Sequence, residues 1–479
     1  MFDGLNLDKL KEECGVVGIY HQKNVDVSKM VYYGLYALQH RGQESAGIAT
    51  NDGVRTHQHK AMGRVAEIFT EEIFKKLEGN VGIGHVRYST TGESYVGNAQ
   101  PLTVFYRRGS IAIAHNGNLV NADLIRNKLE DDGVVFQTSI DTEVLVNLIA
   151  RYSGDGIENA IERTMKLVKG SYALTVMTEN QLIGVRDPLG LRPLCLGKLK
   201  DGYVLASESC ALDILGAEFV RDIEPGEIIT INQAGVSSKK VNGVSKRASC
   251  IFEYVYFARP DSIIDGVSVY EARKNAGRLL AKEHPADVDL VIAVPDTSIP
   301  AAIGYAQASG IPSEEGLVKN RYVGRTFIQP DQSSREMAVR LKLNPLKSVV
   351  NGKRIIVIDD SIVRGTTSKK IVANLKEAGA TEVHMRVSSP PVAHSCYYGI
   401  DTPNKKNLIG SSQSVEDICR EIGADSLGYL STDALVASTG LGNEHFCLAC
   451  FNGEYPIDVE KSKCGKSFNR LQTQKVKNT

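Results

Sequence analysis

The sequence has no excess of charge of either sign: 56 lysines and arginines balance 56 aspartates and glutamates in 479 residues. A neutral chain raises no field over its whole surface, which argues against a nucleic-acid or membrane-surface partner. No apolar run approaches the ~20 residues needed to span a bilayer, so a helical membrane span is excluded. The first residues, MFDGLNLDKLKEE, mix acids with apolar side chains and lack a signal-peptide layout, which points to the cytoplasm. No short cysteine framework repeats. Nine scattered cysteines, an odd number, read in a reducing compartment as free thiols, metal ligands or a nucleophile rather than disulfides. There is no internal repeat, no low-complexity tract, no G-x-x-x-x-G-K-S/T loop and no strand leading into G-x-G-x-x-G. What remains is a chain long enough for two or three domains with sizeable cores.

The most informative stretch present is KRIIVIDDSIVRGTTS, from Lys353 to Ser368. Ile355 to Ile358 is an unbroken apolar run rich in β-branched residues, as in a parallel strand covered on both faces. Asp359 and Asp360 fall where that strand ends, the place where ligands sit in an open α/β sheet. Ser361, Arg364, Gly365, Thr366, Thr367 and Ser368 then make a polar, small-residue loop opening a helix that Gly379 ends. Backbone N–H groups at such a loop favour a phosphate. The neighbouring carboxylates suit ribose hydroxyls or a phosphate-bound Mg2+. A plain βα unit accounts for one acid and a glycine, but two acids followed by Gly-Thr-Thr-Ser resemble the phosphoribosyl-pyrophosphate (PRPP) site of type I phosphoribosyltransferases. The resemblance implies that Asp359 and Asp360 hold ribose and metal, and that the loop after them holds the 5′-phosphate. From Leu290 strands and helices alternate, as in a doubly wound parallel sheet. By the same resemblance the loop after the run Val291 to Val294 binds pyrophosphate, and Thr297 joins the two aspartates around Mg2+.

In the N-terminal half a short apolar strand begins at Cys14. It is followed by Gly-punctuated polar segments: Gln39 to Gly47, Gly84 to Thr90, Ala114 to Leu119 and Ser139 to Glu143. Each places polar side chains where loops carry function. Following a near-terminal cysteine in this order, they resemble the glutaminase domain of N-terminal-nucleophile amidotransferases. That family needs the cysteine at position one, so residues 1–13 would be a cleaved propeptide. A free α-amine, with a pKa of ~8, then serves as base beside the thiol. The resemblance gives Asn116 and the Gly117 N–H the oxyanion hole, Arg87 the α-carboxylate of glutamine, Asp141 its α-ammonium, and Arg41 a place beside the nucleophile. His85 and His115 are assigned to the scaffold, because the α-amine already fills the base's role. Alternating strands and turns from about residue 165 to 232 fit the second sheet of an αββα sandwich, and the tight loop Asp187 to Pro193 shapes the site.

The segment Gly316 to Pro345 is basic and long, and reads as a lid over a polyanion. Its run Lys319 to Thr326, with Lys319 and Arg325, resembles the lid of amidophosphoribosyltransferases, as Phe252 to Ser262 resembles another of their signatures. In the cluster-bearing branch of that family four thiolates hold a 4Fe–4S cluster, and Cys250, Cys396, Cys447 and Cys450 stand at the matching positions. The layout expected is a propeptide (1–13), a glutaminase domain (14–245), a phosphoribosyltransferase domain (246–405) and a helical tail with cluster ligands (406–479). The resemblance implies glutamine and PRPP as substrates, purine nucleotides as inhibitors and a homodimer or homotetramer. Two alternatives stay open. A PRPP-sensing regulator has no use for Cys14 and Asn116, and another class II amidotransferase, such as the hexosamine-forming type, would carry sugar-isomerase repeats in place of residues 290 to 400.

Overall fold

The computed structural model describes residues 14–88, 94–241, 246–320, 343–402 and 404–458. Described residues up to Ser249, joined by Tyr397–Asp401, form one compact unit; those of Cys250–Cys396 and Thr402–Glu454 form another.

The first unit stacks two antiparallel sheets. In the seven-stranded one, strand Gly15–His21 lies between Val81–Arg87 and Gly202–Ala206. In the six-stranded one, Gly109–Leu119 lies between Leu102–Tyr106 and Gly170–Met177. Side chains alternate across a strand, and here both faces are covered. Val17 and Ile19 pack with Val31 and Leu35 of helix Ser28–Ala37, whereas Val16 and Tyr20 enter a layer shared with Ala112, Ala114 and Ala173 of the other sheet. That double burial is why GVVGIY reads as a continuous apolar run rather than an alternating one. On the far side Ile111 and Ile113 pack against helices Thr142–Tyr152 and Ile157–Leu167. The layers are helix, sheet, sheet, helix, as expected.

The second unit is built on four parallel strands in the order Leu290–Ala293, Arg354–Asp359, Glu382–Val387 and Ser426–Tyr429. Ile355 and Val357 are wholly buried in its core. Helices Val269–Glu283 and Ile299–Ser309 cross at unusually close range, at Gly277 and Gly304. A Cβ on Gly277 would lie 1.9 Å from the Ala301 carbonyl oxygen, and one on Gly304 would lie 1.9 Å from that of Lys274. Gly277→Ala must therefore spread two backbones. Its overpacking cost of about 1–3 kcal/mol exceeds the ~1 kcal/mol that alanine gains in a helix. The variant is expected to melt at a lower temperature than the parent, and Gly277→Val lower still; unchanged melting of both would contradict the crossing. Among the described residues no helix is long and apolar enough to cross a membrane.

Candidate functional site

Cys14 immediately precedes the central strand of the first sheet, and its thiol lies 3.5 Å from the Tyr88 carbonyl oxygen. Pairing sets Val16 opposite His85 on the neighbouring strand. Arg41, fully buried on the short turn Gln39–Arg41, donates from Nε to the Cys14 carbonyl at 3.2 Å. Its other arm reaches Glu208, with Nη1 to Oε1 at 2.6 Å. Arg87, at the end of its strand and 3 % exposed, has the Glu44 carboxylate 3.5 Å away.

On the second sheet, alternation separates two neighbours. Ala112 and Ala114 face the inter-sheet layer, and Asn116 continues their row. Asn116 is buried, and its Nδ2 is a donor without a hydrogen-bond partner among the described residues. Unsatisfied buried donors are rare, so each one calls for an explanation. Gly117 follows with φ +146, and a Cβ there would stand 2.1 Å from the Ser171 carbonyl oxygen, so only glycine fits. His115 points the other way, with Nδ1 3.2 Å from the Thr142 hydroxyl and 3.5 Å from the Asp141 carboxylate. Asp141 also accepts from the Leu119 N–H at 2.9 Å. Burial works to raise its pKa, but His115 and the Leu119 and Thr142 N–H groups outweigh burial and hold it below the usual carboxylate value. It is thus an anion, as a partner for an ammonium must be.

His85 donates from Nε2 to the His115 carbonyl oxygen, 3.0 Å away, and is fully buried. Burial first, then the charges of Arg87, His115 and Lys60, push its pKa down to about 3, against the raising effect of that bond. Asp187 accepts from the N–H groups of Leu189 at 2.9 Å and Leu191 at 3.2 Å, folding the 187–193 loop on itself. Its other oxygen lies 3.3 Å from the Tyr172 N–H, and Tyr172 pairs with Gly117, so the loop braces the strand beside the candidate oxyanion hole.

In the second unit Asp359 ends the second parallel strand and Asp360 follows; both are 1 % exposed. The Asp360 N–H donates to Asp359 Oδ1 at 2.9 Å, and the Ser361 hydroxyl to Asp360 Oδ1 at 2.8 Å. Gly365, with φ +81, caps helix Thr366–Glu377, leaving Arg364 and Thr366 exposed and Thr367 and Ser368 buried. The first N–H groups of that helix make a ready site for a phosphate. Thr297 lies in the loop after Leu290–Ala293, the strand paired in parallel with Arg354–Asp359, so both loops emerge at the same end of the sheet. Lys319 ends a short strand, Leu317–Lys319, paired with Leu343–Pro345, and its ammonium meets Asp296 of the Thr297 loop at 2.7 Å. Both side chains are largely exposed, so the pair adds little stability. Arg325 and residues 1–13, the expected propeptide, lie outside the described residues.

The four cysteines all fall in the second unit. The two-residue strand ending at Cys250 pairs with Phe446–Cys447. Phe252 stacks on Phe451 with centroids 5.5 Å apart, drawing the same two segments together. Cys450 is buried; desolvation, then the charges of Cys447 and Cys396, push its thiol well above the ordinary value. A bound cation reverses that logic, since a coordinating thiol loses its proton outright. Among the described residues no group of three or more His, Cys, Asp or Glu side chains stands ready to hold a single metal ion. A four-iron cube spreads its thiolates more widely than one ion does. Mg2+ is commonly held by one or two carboxylates and the phosphates of a substrate. Both donor sets therefore fit in chemistry: soft thiolates for iron and sulfide, hard oxygens for magnesium.

Sequence reading missed Glu208 and Glu44. Nothing in their spacing marks them, since each becomes significant only through a partner distant in sequence.

The comparisons agree with this geometry. A family described as glutamine amidotransferase domain matches residues 85–213. The chain is 53% identical over 456 residues to an amidophosphoribosyltransferase of Archaeoglobus fulgidus, covering 94% of this chain and 99% of the relative. It is 51% identical over 455 residues to that of Bacillus subtilis, covering 94% and 95%. A solved B. subtilis glutamine PRPP amidotransferase, complexed with ADP and GMP, superposes with a TM-score of 0.89 at 50% identity, covering 94% of this chain and 98% of that one. With a sandwich and a parallel sheet that match over nearly the whole length, the chain belongs to the amidophosphoribosyltransferase family.

Proposed function

We propose that the chain hydrolyses glutamine at Cys14 and delivers the ammonia to PRPP, yielding glutamate, 5-phosphoribosylamine and pyrophosphate, the first step of purine synthesis. The observation that carries the first half is the buried Asn116 Nδ2, without a hydrogen-bond partner among the described residues, on the strand leading to Gly117.

Removal of residues 1–13 frees the Cys14 α-amine, which takes the thiol proton. The thiolate attacks the side-chain carboxamide carbon, and the carbonyl oxygen becomes an anion. Asn116 Nδ2 and the Gly117 N–H receive it; one such donor is worth about 3–4 kcal/mol of barrier. Arg87 and Asp141 hold the two charged ends of glutamine, and their fixed positions supply the orientation. The intermediate collapses with the proton returned to the leaving ammonia, and water cleaves the thioester. In the second unit ammonia attacks ribose C1 as the C1–oxygen bond to pyrophosphate breaks. Asp359 and Asp360 orient the ribose hydroxyls, Ser361 to Ser368 hold the 5′-phosphate, and Lys319 with Arg325 closes over the pyrophosphate. Asp359, Asp360 and Thr297 would hold Mg2+, which would neutralise charge on the pyrophosphate.

Cys250, Cys396, Cys447 and Cys450 would hold a 4Fe–4S cluster in this reading, supported by Cys396 and Cys447 lying near enough to act on the Cys450 thiol and by the strand pairing that brings Cys250 to Phe446–Cys447. Purine nucleotides regulate the enzyme, which works in the cytoplasm as a homodimer or homotetramer; the B. subtilis relative solved with ADP and GMP supports the nucleotide part.

The test is an assay of the anaerobically purified protein with glutamine, PRPP and Mg2+. Glutamate and pyrophosphate are expected in equal amounts from glutamine, and pyrophosphate alone when ammonium salts replace it. Iron and sulfide are expected in equal numbers, about four of each per chain, and Cys450→Ser is expected to lose both. Glutamate without pyrophosphate would overturn the second half, and a metal-free active protein would overturn the cluster.

A further inference from the structure

Glu208 is a buried carboxylate with no part in the chemistry above. It follows strand Gly202–Ala206 and precedes helix Ser209–Leu215, and it is 1 % exposed. Its Oε1 accepts from Arg41 Nη1 at 2.6 Å and from His40 Nε2 at 2.7 Å, and its Oε2 lies 3.7 Å from the Cys210 thiol. Arg41 in turn donates to the Cys14 carbonyl at 3.2 Å. The residue before Glu208 grips the same strand: the Val16 N–H donates to the Ser207 hydroxyl at 2.9 Å, and the Ser207 N–H to the Val16 carbonyl at 3.0 Å.

We propose that Glu208 is a positioning residue for glutamine hydrolysis, fixing the Arg41 guanidinium that holds the Cys14 carbonyl. The inference rests on the reading of Cys14 as the nucleophile. Once the preceding peptide bond is cut, residue 14 is tethered from its carbonyl side alone. The Arg41–carbonyl bond holds the plane of the peptide that joins residue 14 to Gly15, and with it the Cα that carries the thiol and the α-amine. Arg41 is long and would adopt several rotamers if unpaired. A buried carboxylate on its second arm leaves one. Breaking a fully buried ion pair is costly because the surviving charge stays buried, so the pair persists as a unit. A misplacement of about 1 Å in a reacting group can cost ~100-fold in rate.

The experiment compares E208Q, R41M, the double variant and C14A as full chains, using only preparations whose intact mass shows residue 14 first. E208Q is expected to lower kcat for glutamine hydrolysis roughly 10- to 100-fold with KM within about threefold. Ammonia-dependent synthesis should keep its parental rate. The double variant should be no slower than R41M alone, because one residue acts through the other. E208D, which keeps the charge but shortens the reach, serves if E208Q does not fold or mature, and is expected to lose part of kcat. Parental kcat in E208Q beside an inactive C14A would overturn the positioning role while leaving the nucleophile intact. Additive losses in the double variant, or equal loss of both activities with a lowered melting temperature, would also overturn it. Glutamine hydrolysis surviving in C14A would instead sink the functional reading itself.

Discussion

Cys14→Ala is expected to remove glutamine-dependent synthesis by about 10^4-fold or more, while synthesis from ammonium salts continues near the parental rate. Without the thiol there is no covalent acyl carrier, and no neighbouring group substitutes: His85 is buried and neutral over the working pH range. The ammonia-using groups, Asp359 to Ser368, lie in the other compact unit, whose core owes nothing to residue 14. Alanine also continues the start of strand Gly15–His21 without changing its pairing. Steady-state assays with each nitrogen source measure both rates on one preparation. Equal loss of the two activities would contradict separate sites, and so would a fully glutamine-competent chain that still begins at Met1.

The second large effect is expected at the acid pair. Asp360→Asn is nearly isosteric and keeps one acceptor for the Ser361 hydroxyl, 2.8 Å away, so the fold should persist. What it removes is a negative charge in a site 1 % exposed, where a hydrogen bond to a charged group is worth about 1.5–3 kcal/mol. That corresponds to roughly a 10- to 100-fold fall in kcat/KM for PRPP. Asp359→Asn, which likewise keeps an acceptor for the Asp360 N–H at 2.9 Å, should cost a similar factor. Glutamine hydrolysis should continue at a basal rate in both. An unchanged apparent affinity for PRPP in Asp360→Asn would mean that the strand end does not hold the sugar.

Much of this site was legible as local pattern. The run Ile355 to Asp360 announces a buried parallel strand with acids at its end, because burial on both faces demands unbroken apolar residues and the strand's end is where polar ones return. Asn116 and Gly117 were legible through resemblance. Alternation then shows why His115 is no rival: adjacent residues on one strand face opposite layers. Other features carry no local signal. Strand Ser426–Tyr429 joins the parallel sheet from a segment that reads as part of a helical tail, since a four-residue strand is too short for its period to stand out. The crossing of Val269–Glu283 with Ile299–Ser309 depends on two glycines 27 positions apart, each lying against the other helix's backbone.

By itself, then, the sequence determined the class of each layer and put Asp359 and Asp360 at a strand end, because periodicity, glycine and strand-end chemistry act over a few residues. Cys14 was singled out as candidate nucleophile through resemblance alone. Only the tertiary structure decided which groups serve those residues. Arg41 and Glu208 are 167 positions apart and become one buried unit only when the sheet sets Gly202–Ala206, before Glu208, on one side of Gly15–His21 and Ser45–Asn51, after Arg41, on the other. Their attraction requires exclusion of water, and exclusion of water is a property of the packed core rather than of any short stretch of chain.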